Sequence, residues 1–337
     1  PTSESSLNEL INEIEAFLGK QAQDDVLSGA VLIALDNRPI LRNAYGLASI
    51  EFQVPNQVDT KFNIGSLNKL FTKVGVAQLA EQGRLSFDDY MAKYLPDYPP
   101  AVADKVKIQH LLDHTSGMGH YWNERFEATK DKLRTVDDFV KLFRDDPLMF
   151  EPGTRNQYSN NGYVILGKII EVISGQDYYE YVREHIYRPA RMDNSDHYER
   201  DIPVWNLANG YTRIGSAGGQ SNLKSRQRRN NILMIGLKGS PAGGGYSTVE
   251  DLLKFMVALK EGRLVSPDYE IVLSGSRSPR KERPKKMTLV RGGAPGVAAL
   301  IQIHTDTGLT VIILSNYDPE DVRAVSTGIE DIISKLY

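Results

Sequence analysis

The sequence predicts an α/β protein of the α+β kind: an antiparallel sheet flanked by N- and C-terminal helices, with an all-helical domain inserted between the two halves of the sheet. Three observations carry this reading. Strand-like runs occur near both ends of the chain, a long helical stretch separates them, and neither end alone holds enough strands for a stable sheet. The ends are therefore expected to join into one sheet domain, residues 1–66 and 240–337, with a helical domain over 67–239 and the active site between the two.

Leu7, Leu10, Ile11, Ile14, Phe17 and Leu18 recur at three-and-four spacing, the mark of an amphipathic helix that needs a sheet to cover. Residues 29–35 and 40–45 read as strands, joined by Asp36-Asn37-Arg38-Pro39, residue types that favour a tight turn. From Leu67 to about Arg191 the pattern is helical, punctuated by Gly83, Pro96, Pro99-Pro100, Gly117, Pro147 and Pro152-Gly153. Ser247-Thr248-Val249-Glu250 reads as a capping box opening a further helix. Residues 297–303 and 309–314 flank Asp306-Thr307-Gly308 as a hairpin, and 319–336 reads as a terminal helix. The segments 215–230 and 274–286, the second carrying Arg277, Arg280, Lys281, Arg283, Lys285 and Lys286, are expected to be mobile, solvated loops.

Composition narrows the chemistry. The chain has 337 residues, 41% hydrophobic and 25% charged, enough for a sizeable core. Its net charge of -3 lacks the basic footprint of a nucleic-acid-binding protein, which favours a small-molecule or short-peptide substrate. With no cysteine, disulfides, thiolate metal sites and a cysteine nucleophile are excluded. No apolar run approaches the roughly 20 residues that span a bilayer, so no transmembrane segment is expected. The chain begins at Pro1 with no signal peptide, compatible with removal of an export signal or with trimming. Nothing in the residue pattern specifies an oligomeric state.

The strongest chemical signal is Phe62-Asn63-Ile64-Gly65-Ser66-Leu67-Asn68-Lys69, where Ser66 enters a helix and Lys69 shares its face three residues on. A serine hydroxyl is a weak nucleophile until a base takes its proton, and burial together with the positive helix end lowers a lysine pKa toward that role. A capped surface helix with a solvated lysine would give the same spacing. Lys73, a turn further along, reads as a charge on the rim, about 10 Å from Ser66 along the axis. Tyr158-Ser159-Asn160 precedes another helix; the phenol can relay a proton and the amide can hold a substrate amide, against the alternative of a capped helix with a packed tyrosine. In Leu289-Val290-Arg291-Gly292-Gly293-Ala294-Pro295-Gly296, Gly292 and Gly293 would let a substrate lie along a strand edge, with a backbone amide serving an oxyanion.

Other patterns carry less. Gly162 to Lys168 fits Gly-x-x-x-x-Gly-Lys, but Ile169 stands where a phosphate loop needs Ser or Thr. His110 and His114 lie four apart without the glutamate of a His-Glu-x-x-His site, which favours helix-end packing over zinc. No Gly-x-Ser-x-Gly elbow occurs. No metal or cofactor is called for.

Ser-x-x-Lys, Tyr-x-Asn and a glycine-rich strand, in this order and at these intervals, resemble the class C β-lactamase and penicillin-binding serine hydrolase family, which includes esterases and D-amino-acid peptidases. Leu111 to Gly117, Tyr158 to Gly175 and Pro241 to Thr248 look like family segments as well, so the resemblance covers most of the chain. It implies a β-lactamase/transpeptidase-like fold and a periplasmic or secreted location. It also implies that Ser66 forms an acyl-enzyme on esters, β-lactams or small amides, that Lys69 and Tyr158 shuttle protons, and that Asn160 contacts substrate. The oxyanion would sit between the amides of Ser66 and Gly293. Val290 occupies the position where the family's third motif opens with Lys or His, so its carboxylate-binding role is missing or falls to Arg291 or another cation; adjacent strand residues face opposite ways, so Arg291 takes the role only where the glycines distort the strand, and short-chain esters are favoured accordingly. The stretch 269–288 is shorter than in relatives, so the wall of the site is expected to be remodelled. A ligand-binding protein with little turnover is the alternative.

Overall fold

The structure, a computed structural model, describes residues 4–213, 225, 227–266 and 287–336. The loop expected over 274–286, most of that over 215–230 and nearly all of the stretch 269–288 lie outside these residues. The framing elements are α1 (Glu4–Gln23), β1 (Gly29–Leu35), β2 (Arg38–Tyr45), α2 (Lys69–Glu81), α3 (Asn160–Ser174), α4 (Val249–Lys260), β3 (Met287–Ala294), β4 (Val297–His304), β5 (Leu309–Ser315) and α5 (Pro319–Leu336).

The two ends of the chain join into one antiparallel sheet of order β2-β1-β5-β4-β3. Pairing of Gly29 with Ser315 and Leu35 with Leu309 runs the full length of β1. Side chains alternate across the sheet as the pleat requires. Val31, Ile33, Val311 and Ile313 form one layer with Leu10, Ile14 and Leu18 of α1 and Val325 and Ile329 of α5. Ala30, Leu32, Ile312 and Leu314 face the other way, into a core shared with α2, α3 and α4.

Three local expectations need correction. The β1–β2 turn is only Asp36-Asn37, both at positive φ, which is the two-residue hairpin geometry; Arg38 already pairs with Leu35, so β2 begins two residues early. Pro39 fits because β2 is an edge strand. The cap of α4 is Thr248, whose hydroxyl accepts from the Asp251 amide, rather than Ser247 with Glu250; the Ser247 hydroxyl is engaged by Ser195. The inserted part is not wholly helical: Tyr211–Arg213 pairs with Arg228–Asn230, a segment expected to be loop. Among the described residues no helix is long and apolar enough to cross a membrane.

Candidate active site

Ser66 lies on a short 3-10 turn, Gly65–Asn68, that leads into α2. The chain reaches this turn through a kink at Gly65, at φ +50, with the Asn63 side chain accepting the Gly65 amide at 2.9 Å. Backbone bonds from Ile64 N to Gly245 O and from Gly244 N to Gly65 O tie the kink to the 243–245 glycine run. Farther along, the Asn68 amide donates to Ser240 O and the Thr72 hydroxyl to Pro241 O. Gly167 of α3 meets Pro241 so closely that a Cβ there would stand 2.1 Å from the Pro241 Cγ. The run Gly162 to Lys168 is thus part of a packed helix.

Lys69 is 6% exposed. Its Nζ lies 3.2 Å from Ser66 Oγ, 2.8 Å from Asn160 Oδ1 and 2.5 Å from Ala242 O. Burial pulls its pKa well below 10.5, and the charge of Lys73 pulls the same way. A neutral amine keeps two N–H groups for the carbonyl oxygens of Asn160 and Ala242, which leaves its lone pair aimed at the Ser66 hydroxyl. Lys73 is not the solvated rim charge expected: it is half-buried, and desolvation brings its pKa down to about 8 against the pull of Asp113.

Tyr158 stands just before the cap of α3, and its hydroxyl donates to Ser66 Oγ at 2.7 Å. The cap is Ser159, whose hydroxyl accepts from Gly162 N and donates to Gly119 O. Tyr158 and Asn160 flank this anchored residue, and so both side chains reach the same serine–lysine pair. Burial pushes the phenol up to about 12, which keeps it protonated near neutrality. His114, at φ +59, accepts the Ser159 amide on Nδ1 at 3.1 Å and lies 4.5 Å from the Tyr158 ring. Burial, aided by Lys69 and Lys73, holds it near 4, a neutral imidazole with its proton on Nε2. Its part in the site was not read from the sequence, where it appeared only as one of two spaced histidines. Likewise His110 accepts the Lys107 amide at the start of its helix.

A cavity of about 440 Å³ opens beside Ser66 and is lined by Asn160, Gly293 and an aromatic wall that includes Tyr121, Trp122 and Phe126. That wall also went unread, because isolated aromatics in a helical stretch look like core.

Comparison with known proteins identifies the family. The family model described as Beta-lactamase matches residues 11–332. The chain belongs to the beta-lactamase family. Penicillin-binding protein 4* of Bacillus subtilis is 28% identical over 340 residues, covering 94% of this chain and 74% of the relative. Three other curated relatives are matched over 43%, 56% and 47% of their own length. Among solved structures, a penicillin binding protein from Bacillus halodurans is 29% identical with a TM-score of 0.77, covering 93% of this chain and 99% of the other. The D-amino acid amidase of Ochrobactrum anthropi SV3 shares the fold at 21% identity, with a TM-score of 0.79 and coverage of 96% and 99%. Members of the family are in general serine hydrolases.

The family's third motif lies on β3 and divides by face. Val290, opposite Ile301, packs on the inner core, whereas Arg291 is exposed and pairs with Leu300 of the outer layer. The expectation that Arg291 binds substrate is corrected: strand alternation turns it away from the Ser66 face. Gly292 does not line the cavity either, because a Cβ there would stand 2.1 Å from Ile64 O and 2.8 Å from Ser66 N, so its missing side chain admits the protein's own backbone. Gly293 lines the cavity, and its nitrogen would be 2.6 Å from a Cβ placed on Gly65.

Proposed function

We propose that the protein is a serine hydrolase that forms an acyl-enzyme at Ser66, on esters, β-lactams or small amides, with short-chain esters favoured. The observation that carries this is the convergence of Lys69 Nζ and Tyr158 OH on one hydroxyl, at 3.2 and 2.7 Å, beside an open cavity. The nucleophile belongs to the seam between a sheet domain, 1–66 and 240–337, and an inserted domain, 67–239.

As Ser66 Oγ adds to the substrate carbonyl, its proton passes to the neutral amine of Lys69. The amides of Ser66 and Gly293 donate to the developing oxyanion. Collapse of the adduct breaks the bond to the leaving group, which takes the proton through the Tyr158 hydroxyl. Water then adds to the acyl carbonyl, gives a proton back along the same path and releases the acid, with Ser66 reprotonated. Asn160 Oδ1 and Ala242 O keep the amine aimed throughout. Fluorophosphonate labelling should be strong in the wild type and absent in Ser66→Ala; equal labelling of the two would overturn the assignment.

A second reading has its own observation. Val290 is apolar and packed where the family motif opens with Lys or His, which supports slow turnover and penicillin-binding-like retention of the acyl group. Burst kinetics on a p-nitrophenyl ester separate the two: steady turnover after the burst favours the hydrolase.

A further inference from the structure

The cavity beside Ser66 holds a cation that the proposed chemistry does not use. Arg200 is half-buried in its lining, and its guanidinium donates to Ile232 O at 3.2 Å while its amide donates to Leu237 O at 3.0 Å. The neighbouring acids serve other cations. Glu199 pairs with Arg134 and Lys238, Asp201 with Arg134, and Asp196 with Arg183. Among the described residues no carboxylate pairs with Arg200. A half-buried guanidinium without a counter-ion has a strong preference for an anion that can desolvate with it.

Its place relative to the nucleophile follows from the shared lining. Arg200, Asn63 and Tyr246 line the same cavity as Ser66, and Asn63 holds the Gly65 amide next to the nucleophile. In the same lining, Trp122 stacks on Phe126 at 5.0 Å, and Phe126 lies 5.6 Å from Tyr121. Trp122 remains 43% exposed, so part of its ring is an open apolar surface. The acid in the same lining, Glu320, stands on α5 three residues from Arg323, a spacing that puts both on one helix face.

We infer that the cavity takes an amphipathic anion: an aryl or branched apolar body on the Trp122–Phe126 wall and a carboxylate on Arg200, with the reacting carbonyl at Ser66. A substrate of this class answers the loss of the family's third-motif cation at Val290 with a carboxylate site on a different element. This inference rests on Ser66 marking the reacting centre, but its test reads binding without turnover, so either reading can fail alone.

The measurement is calorimetric binding of benzoylglycine and of its neutral amide to the Ser66→Ala protein. The carboxylate should bind at least about tenfold more tightly than the amide, as expected for a charge-assisted pair. Adding Arg200→Gln should bring the two affinities together, Arg200→Lys should restore part of the difference, and Trp122→Ala should weaken both ligands. Equal binding of acid and amide, binding of neither, or discrimination that survives Arg200→Gln would overturn the proposal. If benzoylglycine binds as expected while fluorophosphonate labelling is insensitive to Ser66, the anion site stands and the hydrolase reading falls.

Discussion

At the scale of single residues the site depends on how far a lysine pKa is lowered. Lys69 is buried, and half-buried Lys73 sits one turn further along the same helix face, so the two ammonium groups disfavour each other. Asp113 opposes this on the Lys73 side, and neutral His114 adds no charge near pH 7. In the proposed acylation Lys69 must be unprotonated, so kcat/KM should rise with pH along a limb set by its depressed pKa. Lys73→Met removes a positive neighbour and should move that limb to higher pH by roughly half a unit to one unit. A pH–rate profile on a neutral ester reads the shift; an unmoved limb would show that Lys73 has no hold on Lys69. Tyr158, raised to about 12, donates to Ser66 Oγ in the resting site.

Among the elements, β3 and the turn before α2 are matched by absence of side chains. Gly292 brings its Cα against Ile64 O and Ser66 N, and the kink at Gly65 brings its own Cα against Gly293 N. A methyl at Gly292 must push the edge strand away from the nucleophile turn, since every near neighbour is backbone. Gly292→Ala should therefore cost about 1–3 kcal/mol by urea unfolding and lower the rate of labelling at Ser66. A stable variant with unchanged labelling would mean that the strand and turn can separate without consequence. The same logic explains why Gly292 and Gly293 look alike in sequence and differ in place: successive residues of a strand face opposite sides, so one meets the turn and the other meets Pro319 of α5.

The whole molecule carries an acid sensitivity. Burial depresses His114 to about 4 and His197, fully enclosed near Tyr178 and Tyr179, to about 3. In the unfolded chain both titrate near 6.5, so between these limits the unfolded state binds more protons than the folded one. Stability is then fully present above about pH 6.5 and is lost as pH falls toward 4 and 3. Thermal melts at pH 7, 5 and 4 should show a falling Tm, with a shallower fall in His114→Asn. A Tm independent of pH over this range would contradict the burial of both imidazoles.

Sequence alone determined the secondary structure of the two ends, the joining of those ends into one sheet, and the order Ser66, Lys69, Tyr158, Asn160, because periodicity and motif spacing are local properties. The serine and lysine share a helix face by spacing, and the structure brings them to 3.2 Å. What only the tertiary structure decided is which partners close around them: Ala242 O and Asn160 Oδ1 on the amine, His114 behind Tyr158, the backbone that fills the place beside Gly292, and the outward turn of Arg291. These depend on contacts between residues 44 to 228 positions apart, and on which face of a strand lies inward. Alternation along the strand already sets Arg291 opposite Val290 in sequence, but which of the two faces lies inward is decided only when the sheet is assembled.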